Sequence, residues 1–156
     1  VGPVLEATGL ARIASYVGAV TSLPDWSAAA AAARAVNGHA FPDYTDADWL
    51  KLARRLYVEK DGGILADYDP AIAAPFKAPN GAAPAPDLWP LFRALKPVPV
   101  LAIRGALSDI LSAETLARMR DEHGSLQTLT LDNRGHAPTL DEPQSRAAID
   151  RFIAPL

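Results

Sequence analysis

Val98-Pro99-Val100-Leu101-Ala102-Ile103, bounded by Pro97 on one side and Arg104-Gly105 on the other, is a short apolar run that reads as a strand buried on both faces. Ser112 follows as the N-cap of a helix through Leu116 and Met119, which Gly124 closes. Leu126 to Leu131 reads as a second strand. Asp141, with Glu142 and Pro143 in the first turn, opens a last helix through Ala147, Ile149 and Phe152. Strand, helix, strand, helix is a βαβ arrangement with parallel strands and a right-handed crossover. Two strands cannot make a stable parallel sheet alone, because their open edges need neighbours and both faces need cover. The sequence therefore calls for more sheet than it contains.

Upstream the pattern is helical. Leu5, Leu10, Ile13 and Val17 recur at helical spacing, and Gly18 stops them. Asp25 caps a second helix through Ala28–Ala33 to Val36, which Asn37-Gly38 ends; its alanines suit close packing. Thr45 and Asp48 form a capping box for a third helix with Trp49, Leu52, Ala53 and Leu56 on one face. Asp61-Gly62-Gly63 breaks that helix. Residues 66–90 carry Pro70, Pro75, Pro79, Pro84, Pro86 and Pro90 and read as a linker or extended crossing. Asp87 caps a short helix through Trp89, Leu91 and Phe92. Three segments result: a helical cap region at 1–78, a linker with a short helix at 79–95, and the βαβα segment at 96–156.

The 156 residues suffice for a real core, and the composition, 49% hydrophobic and 21% charged, is globular. A net charge of −3 with no basic cluster argues against nucleic-acid or membrane-surface binding. The chain has no cysteine, which excludes disulfides, a thiolate nucleophile and thiolate metal sites within it and suits a cytoplasmic protein. No apolar run reaches transmembrane length, and the first residues do not read as a signal peptide. Val1 is not an initiator residue, so the chain is expected to begin by cleavage, processing or design.

Open parallel sheets bind ligands beyond the carboxyl ends of their strands. Two loops leave such ends: Arg104-Gly105-Ala106-Leu107-Ser108-Asp109 and Asp132-Asn133-Arg134-Gly135-His136. Parallel neighbours point the same way, so Asp109 and His136 are expected on one rim. A carboxylate that accepts from one imidazole nitrogen fixes the tautomer and raises the basicity of the other, which makes a general base.

On these residues the chain resembles the α/β-hydrolases. Pro99-Val100-Leu101-Ala102-Ile103-Arg104-Gly105-Ala106-Leu107-Ser108-Asp109-Ile110-Leu111-Ser112 is similar to that family's strand and acid loop. Asn133-Arg134-Gly135-His136-Ala137-Pro138-Thr139-Leu140-Asp141-Glu142-Pro143 is similar to its histidine loop. Acid and histidine stand in the family's chain order. Upstream, Val1-Gly2-Pro3 with Gly9-Leu10-Ala11-Arg12-Ile13 resembles the point where the sheet gives way to a helical cap, and Asp67-Tyr68-Asp69-Pro70 resembles the return from it. The resemblance implies an incomplete α/β fold: a helical cap, then the last two strands and helices of the parallel sheet. It also implies Asp109 as triad acid and His136 as triad base. No G-x-S-x-G occurs. The resemblance thus implies that nucleophile, oxyanion hole and most of the sheet lie outside this chain, with serine and aspartate both open as nucleophile.

Each feature also has a plainer reading. Asp109 can cap the following helix, although Ser112 already does so; Asp132 is the rival acid, but shares the loop of His136. Ser108 reads as a loop hydrogen-bonder; Arg104 and Arg134 could orient loops or meet substrate charge but read first as solvated surface pairs; His39 and His123 read as solvent-facing or partly packed. Asp67 and Asp69 lack the rest of a calcium loop, so no metal site is expected. Trp26, Phe41, Tyr44 and Trp49 either pack the cap helices together or line an apolar substrate pocket.

The expected activity is esterase-like acyl transfer on a small, fairly apolar ester, without cofactor or metal, and with the isolated chain inactive. Carbon–carbon bond, epoxide and haloalkane hydrolysis stay open on the same fold. In a different class stands a non-catalytic fragment that self-associates through its strand edges, the partner being a second copy rather than the missing segment. A cleaved enzyme whose pieces remain bound is a third reading.

Overall fold

The computed structural model describes residues 2–18, 21–77 and 86–154. The chain forms two compact units, Ala11–Ala83, and Val1–Leu10 with Pro84–Leu156. Helix α1 (Ala7–Tyr16) begins in one and ends in the other, and Gly18 follows it at φ 79°.

In the first unit, α2 (Trp26–Asn37) starts where Asp25 accepts a hydrogen bond from the Ala28 N–H, and it continues into a 3-10 turn at Gly38–Ala40. Helix α3 (Asp46–Leu56) carries the full capping box between Thr45 and Asp48. The alanine faces give a core of Ala29, Ala33, Ala40 and Ala53 around Phe41, Trp49, Leu52 and Ile64. Without bulky side chains between them, α2 and α3 can approach closely, and the aromatic rings fill what remains.

One expectation for this unit needs correction. Asp61-Gly62 does more than break a helix: it is the turn of an antiparallel hairpin, β1 (Tyr57–Lys60) with β2 (Gly63–Ala66). Asp61 and Gly62 both adopt left-handed backbone, at φ 53° and 78°, which a two-residue hairpin turn requires. Leu23 bridges to Ile64 through hydrogen bonds in both directions. The proline-rich stretch is also more regular than a linker: a 3-10 turn at Pro70–Ala73, capped by Asp69, runs into α4 (Ala74–Lys77). Residues 78–85 of that stretch lie outside the described residues.

In the second unit, α5 (Trp89–Arg93) precedes β3 (Leu101–Gly105), α6 (Ala113–His123), β4 (Gln127–Leu131) and α7 (Pro143–Ile153). Strands β3 and β4 pair in parallel, Leu101 opposite Gln127 through Gly105 opposite Leu131. The strand starts later than the apolar run suggests, because Pro99 has no N–H to give the ladder and Val98 bonds back to the Leu95 carbonyl in a turn. Val100 and Ala102 pack on a core of Trp89, Phe92, Leu111, Leu116, Met119 and Leu126, while Leu101 and Ile103 turn to the opposite face with Ile149 and Phe152 of α7. Ser112 caps α6, and Gly124 closes it at φ 84°. Glu142, not Asp141, occupies the cap position of α7. Among the described residues no helix is long and apolar enough to cross a membrane.

Candidate active site

Because β3 and β4 run parallel, the loops after Gly105 and Leu131 leave the same edge of the sheet. They are stitched together there. The Ala106 N–H donates to the Leu131 carbonyl and the Leu107 N–H to the Arg134 carbonyl, both at 2.8 Å. Gly105 sits under this crossing, and a Cβ at that position would collide with the backbone carbonyls of Arg134 and Gly135. Only glycine lets the two loops come this close. Asp109 lies just beyond Leu107, His136 follows Gly135, and both are half-buried.

The acid loop is braced from three sides. Arg104 is buried, and its guanidinium donates to the carbonyls of Leu111 (2.6 Å) and Ala106 (3.2 Å). The solvated surface pair is therefore the wrong one of its readings, and loop orientation the right one: the side chain turns inward to satisfy a loop that lacks regular backbone pairing. The Ser108 hydroxyl accepts from the N–H of Leu111 at 3.1 Å and of Ile110 at 3.4 Å, as a loop-forming serine does. Gly9 of α1 packs so closely on this loop that a Cβ there would stand 2.5 Å from the Asp109 carbonyl oxygen.

The histidine loop is held by Glu142. Its Oε1 accepts from Arg134 Nε (3.2 Å), from the Thr139 N–H (3.3 Å) and from the Thr139 hydroxyl (3.3 Å); its Oε2 accepts from the Ser145 hydroxyl (3.2 Å). Burial alone would raise the Glu142 pKa, but its own backbone N–H, Ser145, Thr139 and Arg134 together outweigh that and hold it below the usual value. Arg134 and Glu142 are both largely buried, so this pair too is unlike the exposed pair expected from the sequence. Asn133 takes the left-handed backbone that turns the chain out of β4.

His136, Ser108 and Leu140 border a concavity of about 430 Å³, floored by Ile103, Ile149 and Phe152. Its lining is mostly apolar, with His136, Ser108 and Arg104 as the polar side chains. Asp132, the rival acid, is exposed at the start of the loop. His123 is buried, its ring nitrogens paired with the Leu95 carbonyl and the Ser125 hydroxyl, while His39 is exposed. Among the described residues no cluster of three or more histidines and carboxylates could hold a metal.

The four aromatic candidates lie in the unit Ala11–Ala83. Phe41 and Trp49 are buried, at 4% and 3% exposure; Phe41 stacks on Tyr44 at a centroid distance of 4.5 Å, and both rings meet Trp49 edge-on, at 6.2 and 5.2 Å. Trp26 is half-buried under the Arg54 guanidinium, 4.5 Å above its ring. Trp26 and Trp49 border a hollow of about 520 Å³ between α2 and α3.

No protein-family profile matches the chain. It is 47% identical to an α/β-hydrolase from Novosphingobium aromaticivorans, with a TM-score of 0.88 over 97% of this chain and 53% of that one. It is similar to the 3-hydroxybutyrate-oligomer hydrolase of Cupriavidus necator, 30% identical over 98% of this chain and 54% of that protein. In fold it also resembles E-2-(acetamidomethylene)succinate hydrolase, with a TM-score of 0.73, 23% identity, and coverage of 98% of this chain and 55% of that one. These likenesses place the chain in the α/β-hydrolase fold superfamily. It has part of that fold, spanning about half the length of the relatives it matches.

Proposed function

We propose that this chain supplies the acid and the base of a hydrolase's catalytic triad, Asp109 and His136, and that the nucleophile comes from the remainder of the protein. The observation that carries the reading is the stitched crossing at Gly105, Leu107, Arg134 and Gly135, which keeps the loops of Asp109 and His136 together at the carboxyl edge of β3 and β4. In this mechanism His136 takes the proton of the nucleophile as it attacks a carbonyl, then returns one to the leaving group. Asp109 steadies the imidazolium, and water frees the acyl-enzyme through the same base.

An ester is the substrate class best supported. The relative from Cupriavidus necator hydrolyses oligomers of 3-hydroxybutyrate, and oligomers of a hydroxy acid are joined by ester bonds. The apolar concavity beside His136 suits a small acyl chain. Phe41, Tyr44 and Trp49 form the core of the cap, and the half-buried Trp26 is the aromatic candidate for contact with substrate. The two-stranded sheet β3–β4 is completed by the rest of the protein; a second copy pairing on the same edge is the competing arrangement.

The test is hydrolysis of p-nitrophenyl butyrate. The isolated chain is expected to be inactive, and the complete protein active. In the complete protein His136→Ala should lower kcat by about 10³-fold or more. Turnover by the isolated chain, or full activity of the His136→Ala protein, would overturn the assignment.

A further inference from the structure

We infer that Glu142 is a positioning residue for His136, an inference that rests on reading His136 as the base. Glu142 belongs to the cap of α7 but reaches back to both flanks of the histidine. It accepts from Arg134 on one side and from the backbone and hydroxyl of Thr139 on the other, and it is tied to α7 through Ser145, which is fully buried. The segment between Arg134 and Thr139, with His136 inside it, is thereby pinned at both ends to the first turn of a helix. The clamp also extends to the acid loop, because the Arg134 carbonyl accepts from the Leu107 N–H. An ionised carboxylate suits this place: its two oxygens take four donors at once, one of them a guanidinium, which a neutral amide does less well. Loops position catalytic groups less sharply than helices or strands do, and here the carboxylate makes the histidine loop an extension of α7.

The reacting histidine must be placed within a fraction of an ångström, and small displacements from a supporting side chain lower turnover without weakening substrate binding. The experiment is a double-mutant cycle in the complete protein, with p-nitrophenyl butyrate as probe and with circular dichroism and melting temperature confirming that each variant folds. Glu142→Gln is expected to lower kcat by about ten- to a hundredfold with KM little changed, and Glu142→Asp to recover part of the loss. Because the effect runs through His136, adding Glu142→Gln to His136→Ala should cost nothing more. A Glu142→Gln enzyme with wild-type kcat overturns the inference, as does an equal further loss in the His136→Ala background. Should Glu142→Gln fail to fold, Ser145→Ala removes one donor from the clamp and carries the same cycle: wild-type kcat, or an equal further loss beside His136→Ala, again overturns the inference. Full activity of His136→Ala would instead remove the base assignment itself, whereas a dead His136→Ala beside an unaffected Glu142→Gln removes only the positioning role.

Discussion

The two units of this chain are held by different forces. In Ala11–Ala83 the interior is almost wholly apolar: four alanines with no exposed surface let α2 and α3 close on Phe41, Trp49 and Leu52. Arg34–Asp46, an ion pair of that unit, lies in solvent, where such pairs contribute little. In the unit that carries β3 and β4, the apolar core ends below the loops. From Arg104 to Ser145 the parts nearest the candidate site are organised by buried polar groups: Arg104 on two carbonyls, Ser108 on two N–H groups, Glu142 on four donors. A core of rings resists everything except loss of volume. A polar clamp is directional, and it depends on charge, so the same fold should yield to different perturbations in its two halves.

The largest effect is expected from volume. Trp49→Ala removes a ring that is only 3% exposed and should cost the unit Ala11–Ala83 about 3–5 kcal/mol. Hydrogen exchange should then quicken across α2, α3 and the β1–β2 hairpin, while amides of β3 and β4 keep their protection. Equal loss of protection in both units would mean that they do not differ in this way.

A smaller effect is expected from acid, and only in the other unit. The folded-state pKa of Glu142 is held below its ordinary 4.5, so its ionised form stabilises the fold fully above that value. As pH falls through the depressed pKa, this contribution is lost. Wild type should exceed Glu142→Gln in stability by roughly 1–3 kcal/mol at neutral pH, and the gap should narrow as pH drops below 4.5. Urea unfolding of both proteins from pH 7 downward measures it. A gap that stays constant, or widens on acidification, would show that the carboxylate is not what holds the loop.

Much of this architecture is legible in the sequence because it is local. Asp25, Thr45 with Asp48, Ser112 and Gly124 mark helix ends through contacts within four residues, and all four marks hold. The parallel pair and the placing of the acid and histidine loops on one rim follow from strand order alone. The hairpin at Tyr57–Ala66 is different. Its strands are short and begin directly at the end of α3, so periodicity has no room to change from helical to alternating, although Asp61-Gly62 is itself a hairpin signal. The burial of Arg104 and Arg134, for which loop orientation is only the second reading, and the role of Glu142 are hidden for another reason. A charged side chain reads as a surface residue until the loop carbonyls and N–H groups that it must satisfy are placed around it. The packing of Gly9 on Asp109 and the bonds from Ser112 and Thr115 to Glu6 join residues about a hundred positions apart, and no local pattern announces them.

The central claim is that Asp109 serves the imidazole of His136. The most direct measurement is the nuclear magnetic resonance spectrum of the histidine ring protons in the complete protein, wild type beside Asp109→Asn. A carboxylate on Nδ1–H predicts a strongly downfield His136 resonance that shifts or vanishes in the variant, together with a His136 pKa that falls when the charge is removed. A His136 ring spectrum and titration identical in the two proteins would contradict it.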